Sequence, residues 1–132
     1  MNFKISTKEK FKEIELLEPE LSANMTGDLV KMLYDVMKTE PRNIILSVKE
    51  AKKMDPELGE ALTGIQTRFY DEGASFVICE MNPEVEDTLE AAGILETMNM
   101  APTLSEAWDI VQMEEIEREL LDSDDMEFST QE

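Results

Sequence analysis

At 132 residues the chain has the length of one domain, and its 42% hydrophobic content is enough for a packed core and too high for a disordered chain. A net charge of −19, from 31 acidic and 12 basic residues, makes phosphate backbones and anionic lipid repellent, so nucleic acid and membrane surfaces are poor partners and a protein with a basic face is the better one. Histidine is absent, which removes the commonest general base and zinc ligand and rules out Ser-His and Cys-His nucleophilic pairs; the single cysteine, Cys79, rules out an internal disulfide.

The start, Met1-Asn2-Phe3-Lys4-Ile5, has no apolar stretch of the signal-peptide kind. No run approaches the length of a membrane span, so a cytoplasmic protein without membrane insertion is expected. Asn2–Ser6 alternates with Phe3 and Ile5 on one face, and Phe11–Leu17 carries Ile14 and Leu16 in register; with the polar turn Thr7-Lys8-Glu9-Lys10 between them, this reads as a β-hairpin. Leu29, Leu33, Val36 and Met37 fall on one stripe of a helix over residues 25–38, which Pro41 ends.

Ile44-Ile45-Leu46 is a continuous apolar run, as in a strand covered on both faces. Asp55-Pro56-Glu57 then opens a helix over 56–70: Asp suits the N-cap, Pro the first helical position and Glu the first turn. Leu58, Leu62, Ile65 and Phe69 give that helix its core face, and Gly73 follows its end. Ala74–Glu80 is a second buried strand, in which Cys79 is a small core thiol. Asn82-Pro83-Glu84 repeats the helix-start grammar for a helix over 83–92, closed by Gly93.

Glu96–Met100 is a short edge strand in this reading. Thr103-Leu104-Ser105-Glu106 is a capping box, and the helix it starts carries Leu104, Ala107, Trp108 and Val111 inward and runs to about 121. Asp122–Glu132 is acidic and reads as disordered. Strand and helix alternating from Asn43 onward imply an α/β fold: a mixed, mainly parallel sheet of four or five strands with four helices. Phe3, Ile14, Leu33, Ile44, Leu46, Leu62, Phe76, Ile78, Leu89 and Trp108 are the expected core.

The segment Ile44-Ile45-Leu46-Ser47-Val48, followed by Met54-Asp55-Pro56-Glu57-Leu58-Gly59-Glu60-Ala61-Leu62, resembles the central strand and switch helix of a STAS domain, the fold of anti-sigma factor antagonists. Further motifs follow in the family's order: Pro19-Glu20-Leu21-Ser22-Ala23 before the first helix, Glu72-Gly73-Ala74 leading the next strand, Asn82-Pro83-Glu84-Val85 with Gly93-Ile94-Leu95, and Thr103-Leu104-Ser105-Glu106-Ala107. The resemblance covers roughly residues 2–112 and implies a bacterial, non-enzymatic regulatory domain without cofactor, acting on a protein partner such as an anti-sigma factor or related kinase, as a monomer or weak homodimer. Residues 113–132 then form an acidic C-terminal extension whose Met113, Ile116 and Leu120 stand at helical spacing.

Two departures bear on mechanism. Glu57 stands where the resemblance places a phosphorylatable serine, and Ser47 stands where it places a strand-ending aspartate. Position 57 is therefore the phospho-switch equivalent without a hydroxyl. Two readings of Glu57 are open: a permanent, partial mimic of phosphoserine, or a good helix start worth about 0.3–1 kcal/mol from the dipole. The expected partner-binding rim comprises Asp55, Pro56, Glu57 and Leu58, the basic loop residues Lys52 and Lys53 with Lys49, and the hydroxyls of Ser47 and Ser22. The same fold also serves as a subunit or scaffold in transporters and stress-signalling assemblies, which is the alternative function. A receiver-like domain binding Mg²⁺ through carboxylates is a remote one: only Glu80 and Asp55 are at hand, and Asp122–Glu127 lacks the Gly and distal Glu of a calcium loop.

Overall fold

A computed structural model describes the backbone of residues 1–131 and the side chains of residues 1–121. The hairpin forms as β1 (Phe3–Thr7) and β2 (Lys12–Leu16), antiparallel, with Phe3 opposite Leu16 and Ile5 opposite Ile14. Strand β3 (Glu20–Leu21) leads through a 3₁₀ turn (Ala23–Met25) into α1 (Thr26–Met37). Then come β4 (Ile44–Ser47), β5 (Lys53–Met54), α2 (Pro56–Asp71), β6 (Phe76–Cys79), α3 (Pro83–Ala91), β7 (Met100–Ala101) and α4 (Leu104–Gln131). The main sheet has five strands in the order β1-β2-β4-β6-β7, parallel except for the first pair. A second, two-stranded parallel sheet pairs β3 with β5.

The period of two along the central strands divides the core into two layers. Ile14, Ile44, Leu46, Phe76 and Ile78 point to the side where α1, α2 and α3 bring Leu29, Leu33, Leu58, Leu62, Phe69 and Leu89. Ile45, Val77 and Cys79 point to the other side, where α4 brings Ala107 and Val111. A sheet covered on both faces needs apolar residues at consecutive positions, and Ile44–Ser47 and Phe76–Cys79 are buried at every one. The helices α2 and α3 end as their glycines require. Gly73 (φ 81°) and Gly93 (φ 73°) take left-handed backbone, and the next amides, Ala74 and Ile94, bond back to the carbonyls of Phe69 and Leu89.

Some expectations are corrected. Phe3 is 38% exposed, although it alternates in register, because β1 is the sheet edge and α1 leaves its outer row uncovered. Trp108 is only partly buried: it packs on Phe11 with ring centroids 4.9 Å apart and the rings tilted by 32°, at the margin of the second core layer. The stretch expected as an edge strand starts instead with a 3₁₀ turn, Leu95–Thr97, and pairs only at Met100–Ala101. Helix α4 continues to Gln131 rather than ending near Leu121, consistent with a run that contains no Gly or Pro. The turns of α4 after Gln112 hydrogen-bond the rest of the domain: Asn99 donates to Glu114 (2.9 Å), Asn43 to Glu115 (3.3 Å), and Arg118 to the Ser75 hydroxyl (3.1 Å). The side chains of Asp122–Glu132, including the calcium-loop-like segment, lie outside the described residues.

Candidate functional site

Parallel strands deliver their C-terminal ends, and the loops and helix starts that follow them, to one rim of the sheet. Here that rim gathers the ends of β4 and β6, the starts of α2 and α3, and the 3₁₀ turn before α1. Its geometry is set by side chains spent on neighbouring backbone. Asp55 occupies the N-cap position of α2 in extended conformation (φ −67°, ψ 136°), and its carbonyl accepts from Leu58 and Gly59. Its carboxylate does not cap α2, as the sequence had implied, but accepts the backbone N–H of Ala23 at 2.7 Å and so holds the turn before α1. The Asp55 amide donates to the Leu21 carbonyl, completing the link.

Asn82 behaves alike at the start of α3. Its amide nitrogen donates to the carbonyls of Ala51 (2.6 Å) and Lys49 (3.2 Å), which fixes the loop after β4 instead of capping its own helix. The amides of Lys52 and Lys53 both donate to the Pro19 carbonyl. That backbone is held by β3–β5 pairing, while the two lysine side chains project into solvent.

The expected rim residues divide by burial. Asp55, Pro56, Glu57, Lys52 and Lys53 are all exposed. Ser22 is half-buried, and its hydroxyl bonds the Asn24 side chain as part of the 3₁₀ turn. Two residues leave the surface. Leu58 is fully buried: spaced with Leu62, Ile65 and Phe69, it belongs to the core stripe and not to a contact face. Ser47 is 1% exposed; its hydroxyl donates to Glu80 at 2.8 Å, so it is a satisfied core group beneath the rim.

Glu80 takes positive φ (63°), a conformation that costs a non-glycine residue roughly 1–2 kcal/mol. Its carboxylate receives the Ser47 hydroxyl there. Lys49 is in an ion pair with Glu15 at 3.7 Å rather than free on the rim.

Glu57 stands in the first turn of α2, exposed, beside an open groove of about 420 Å³. Pro56, Glu57, Glu60 and Thr63 of α2 form one wall, and Gly93, Ile94 and Thr97 form the other. Glu60, Thr63 and Thr97 were not picked out from sequence; the i, i+3 spacing of Glu57, Glu60 and Thr63 is the signal that marks them as one helix face. Among the described residues, no ion pair engages Asp55, Glu57, Lys52 or Lys53. The carboxylates of Asp55 and Glu80, the two named for a metal, serve different backbone and hydroxyl donors, and among the described residues no three carboxylate or thiol groups converge.

A five-stranded, mainly parallel sheet with helices on both faces and a charged, open rim defines a small α/β domain. The STAS domain family matches residues 8–107, and the chain belongs to that family. The fold is similar to that of SpoIIAA, an anti-sigma factor antagonist solved in its unphosphorylated form (18% identity, 84% of this chain and 96% of that one, TM-score 0.64). It is similar also to a serine-to-glutamate variant of Moorella thermoacetica RsbS (18% identity, 85% and 96%, TM-score 0.67). A third similar structure is the murine anion transporter Slc26a9 (14% identity, TM-score 0.64), where 82% of this chain matches 18% of that one. No curated protein sequence matches the chain. Among the described residues, no helix is long and apolar enough to cross a membrane.

Proposed function

We propose that this chain is a non-catalytic regulatory module that binds a protein partner through the rim formed by Asp55, Pro56, Glu57 and Glu60, with Lys52 and Lys53 at its border. The observation that carries this reading is the exposed Glu57 at the start of α2, beside an open groove and free of any ion pair among the described residues. A carboxylate there forms no stable phosphoester, so phosphorylation at position 57 does not regulate binding. Pro56 fixes its own φ and stiffens the turn that presents the charge. Ser47 and Leu58 act from below, as parts of the support. Similarity to anti-sigma factor antagonists makes an anti-sigma factor or related kinase the first partner class to test, in a cytoplasmic setting.

The test is to isolate the partner from native cells and compare its affinity for the wild type and for Glu57→Arg, Glu57→Gln and Glu57→Ser. Phosphoserine mimicry predicts that Gln and Ser change the Kd by about tenfold or more, ~1.4 kcal/mol. A plain helix start predicts that they change it little, while Arg lowers folding stability by about 0.3–1 kcal/mol. In both cases Arg weakens the complex, because it reverses the charge of the contact face. Unchanged affinity for Glu57→Arg removes this rim as the interface. The likeness to a domain of an anion transporter supports a second reading, a subunit or scaffold role; a captured partner that is an integral membrane protein selects it.

A further inference from the structure

Helix α4 has two faces. Ala107, Val111 and Arg118 turn toward the sheet, where the first two are buried and Arg118 reaches Ser75. On the opposite face, at 100° per residue, Met113, Ile116 and Leu120 form a line that is 59%, 55% and 57% exposed. Their i, i+3, i+7 spacing is the seam of a helix that packs on another helix. Glu117 stands beside this ridge on one side and Glu119 on the other, both exposed. Arg118 is the only basic residue from Leu104 to Glu132, and it faces inward. The ridge therefore presents apolar side chains with carboxylates and no cation. Through Glu114, Glu115 and Arg118 this part of α4 is anchored to Asn99, Asn43 and Ser75, so the ridge is held at a fixed angle on the domain.

We infer that the outer face of α4 around Met113, Ile116 and Leu120 is a second docking surface, and that its occupant is an amphipathic helix of a protein partner carrying Lys or Arg beside its apolar seam. Charge decides between occupants. In a second copy of this chain, Glu117 and Glu119 would meet carboxylates of the same kind across the seam, and like charges at those positions oppose pairing. A cationic helix turns the same positions into attraction. The surface is on the opposite side of the sheet from α2 and is independent of the rim proposed above.

The experiment uses the full chain and a synthetic helix of about three heptads with Leu at the seam and Lys beside it. Controls are a scrambled peptide of identical composition and the same helix with Glu in place of Lys. Fluorescence anisotropy gives the affinities, and sedimentation gives the association state of the protein alone. The expected result is binding of the basic helix, with Ile116→Glu/Leu120→Glu weakening it by about tenfold or more, since helix-in-groove partners are held by such apolar anchors. Glu117→Gln/Glu119→Gln should lower the salt dependence. Both pairs of positions are exposed, and an unchanged thermal transition shows that the variants fold. Equal binding of the scrambled peptide reduces the effect to net charge and overturns the proposal. So does an absence of binding, and so does a dimer of the protein alone that Ile116→Glu dissociates, which makes a second copy the occupant.

Discussion

Gly59 sits where α2 approaches the end of α3, and a methyl group there separates packing from helix propensity. A Cβ built at Gly59 lies 2.6 Å from Cδ2 of Leu89, against 3.4 Å or more for an ordinary contact. Leu89 is fully buried, so its tip has little room to withdraw. Overpacking of this kind costs about 1–3 kcal/mol, while alanine in a helix gains roughly 0.8–1.0 kcal/mol over glycine. The net expectation for Gly59→Ala is a loss of about 1 kcal/mol, or ~4 °C in Tm.

Gly64, in the same helix, is exposed with nothing within 4 Å of its built Cβ. Gly64→Ala should therefore gain most of the propensity term, ~0.8 kcal/mol. Urea unfolding with unchanged m-values measures both. Leu89→Ala costs about 2–5 kcal/mol alone, but in its background Gly59→Ala should turn stabilising, a coupling of roughly 1–3 kcal/mol. If Gly59→Ala stabilises the wild-type protein as Gly64→Ala does, or shows no coupling to Leu89, the close approach of α2 and α3 is not what glycine serves at this position.

Two further expectations concern buried polar groups. Burial pushes the Cys79 thiol up to about 12 from an ordinary 9.0, with the neighbouring carboxylates of Glu80 and Glu13 adding to the rise and Lys49 opposing it. Above pH 9.0 the unfolded chain sheds this proton and the fold retains it, so stability falls as pH rises from 9.0 toward 12, by at most about 1.4 kcal/mol per pH unit from this group. Cys79→Ala should flatten that alkaline slope in chemical denaturation against pH; an unaltered slope refutes the assignment. Gln66, buried on α2, donates to the carbonyls of Phe76 (3.2 Å) and Asn99 (2.8 Å) and accepts the Asn99 amide (2.9 Å). Gln66→Leu should lower unfolding free energy by about 1–3 kcal/mol because it strands the Asn99 amide at the entry to β7, while the Asn99 carbonyl keeps the Ile78 N–H, and a loss below ~0.5 kcal/mol removes Gln66 as the clamp.

Periodicity carried much of the fold. The apolar runs at Ile44–Leu46 and Phe76–Ile78, the Asp-Pro-Glu and Asn-Pro-Glu starts and the glycines at 73 and 93 each state a local constraint, and the first four strands of the main sheet and the first three helices stand within a residue or two of their expected places. What local patterns do not contain is coverage. The alternation of Phe3 and Ile5 shows that they share a face, but only tertiary placement shows that no helix reaches that edge. The β3–β5 sheet was illegible for a related reason: it is a short backbone pairing between segments about thirty residues apart, with no periodicity of its own. At the rim, sequence identified the exposed acids but over-read Ser47 and Leu58. A serine at a strand end and a leucine in a helix's first turn look the same whether they face solvent or core, and the phase of the whole element decides.

The residues that open α2 and α3 explain why this rim is a firm surface. A helix start usually takes its Asp or Asn to satisfy its own first amides. Here Asp55 gives its carboxylate to Ala23, and Asn82 gives its amide to Ala51 and Lys49. Each helix start is thus tied to the loop of another element, and Ser47–Glu80 joins the ends of β4 and β6 beneath them. A surface held in this way loses little loop entropy when a partner docks, so more of the contact energy is available for affinity. It also limits how a modification could act, because these ties leave few alternative loop positions to select. Glu57 stands exposed on this frame, in the first turn of α2. If the rim is the interface proposed above, control of binding belongs to the partner, or to a second contact such as the ridge of α4, rather than to a conformational change at the start of α2.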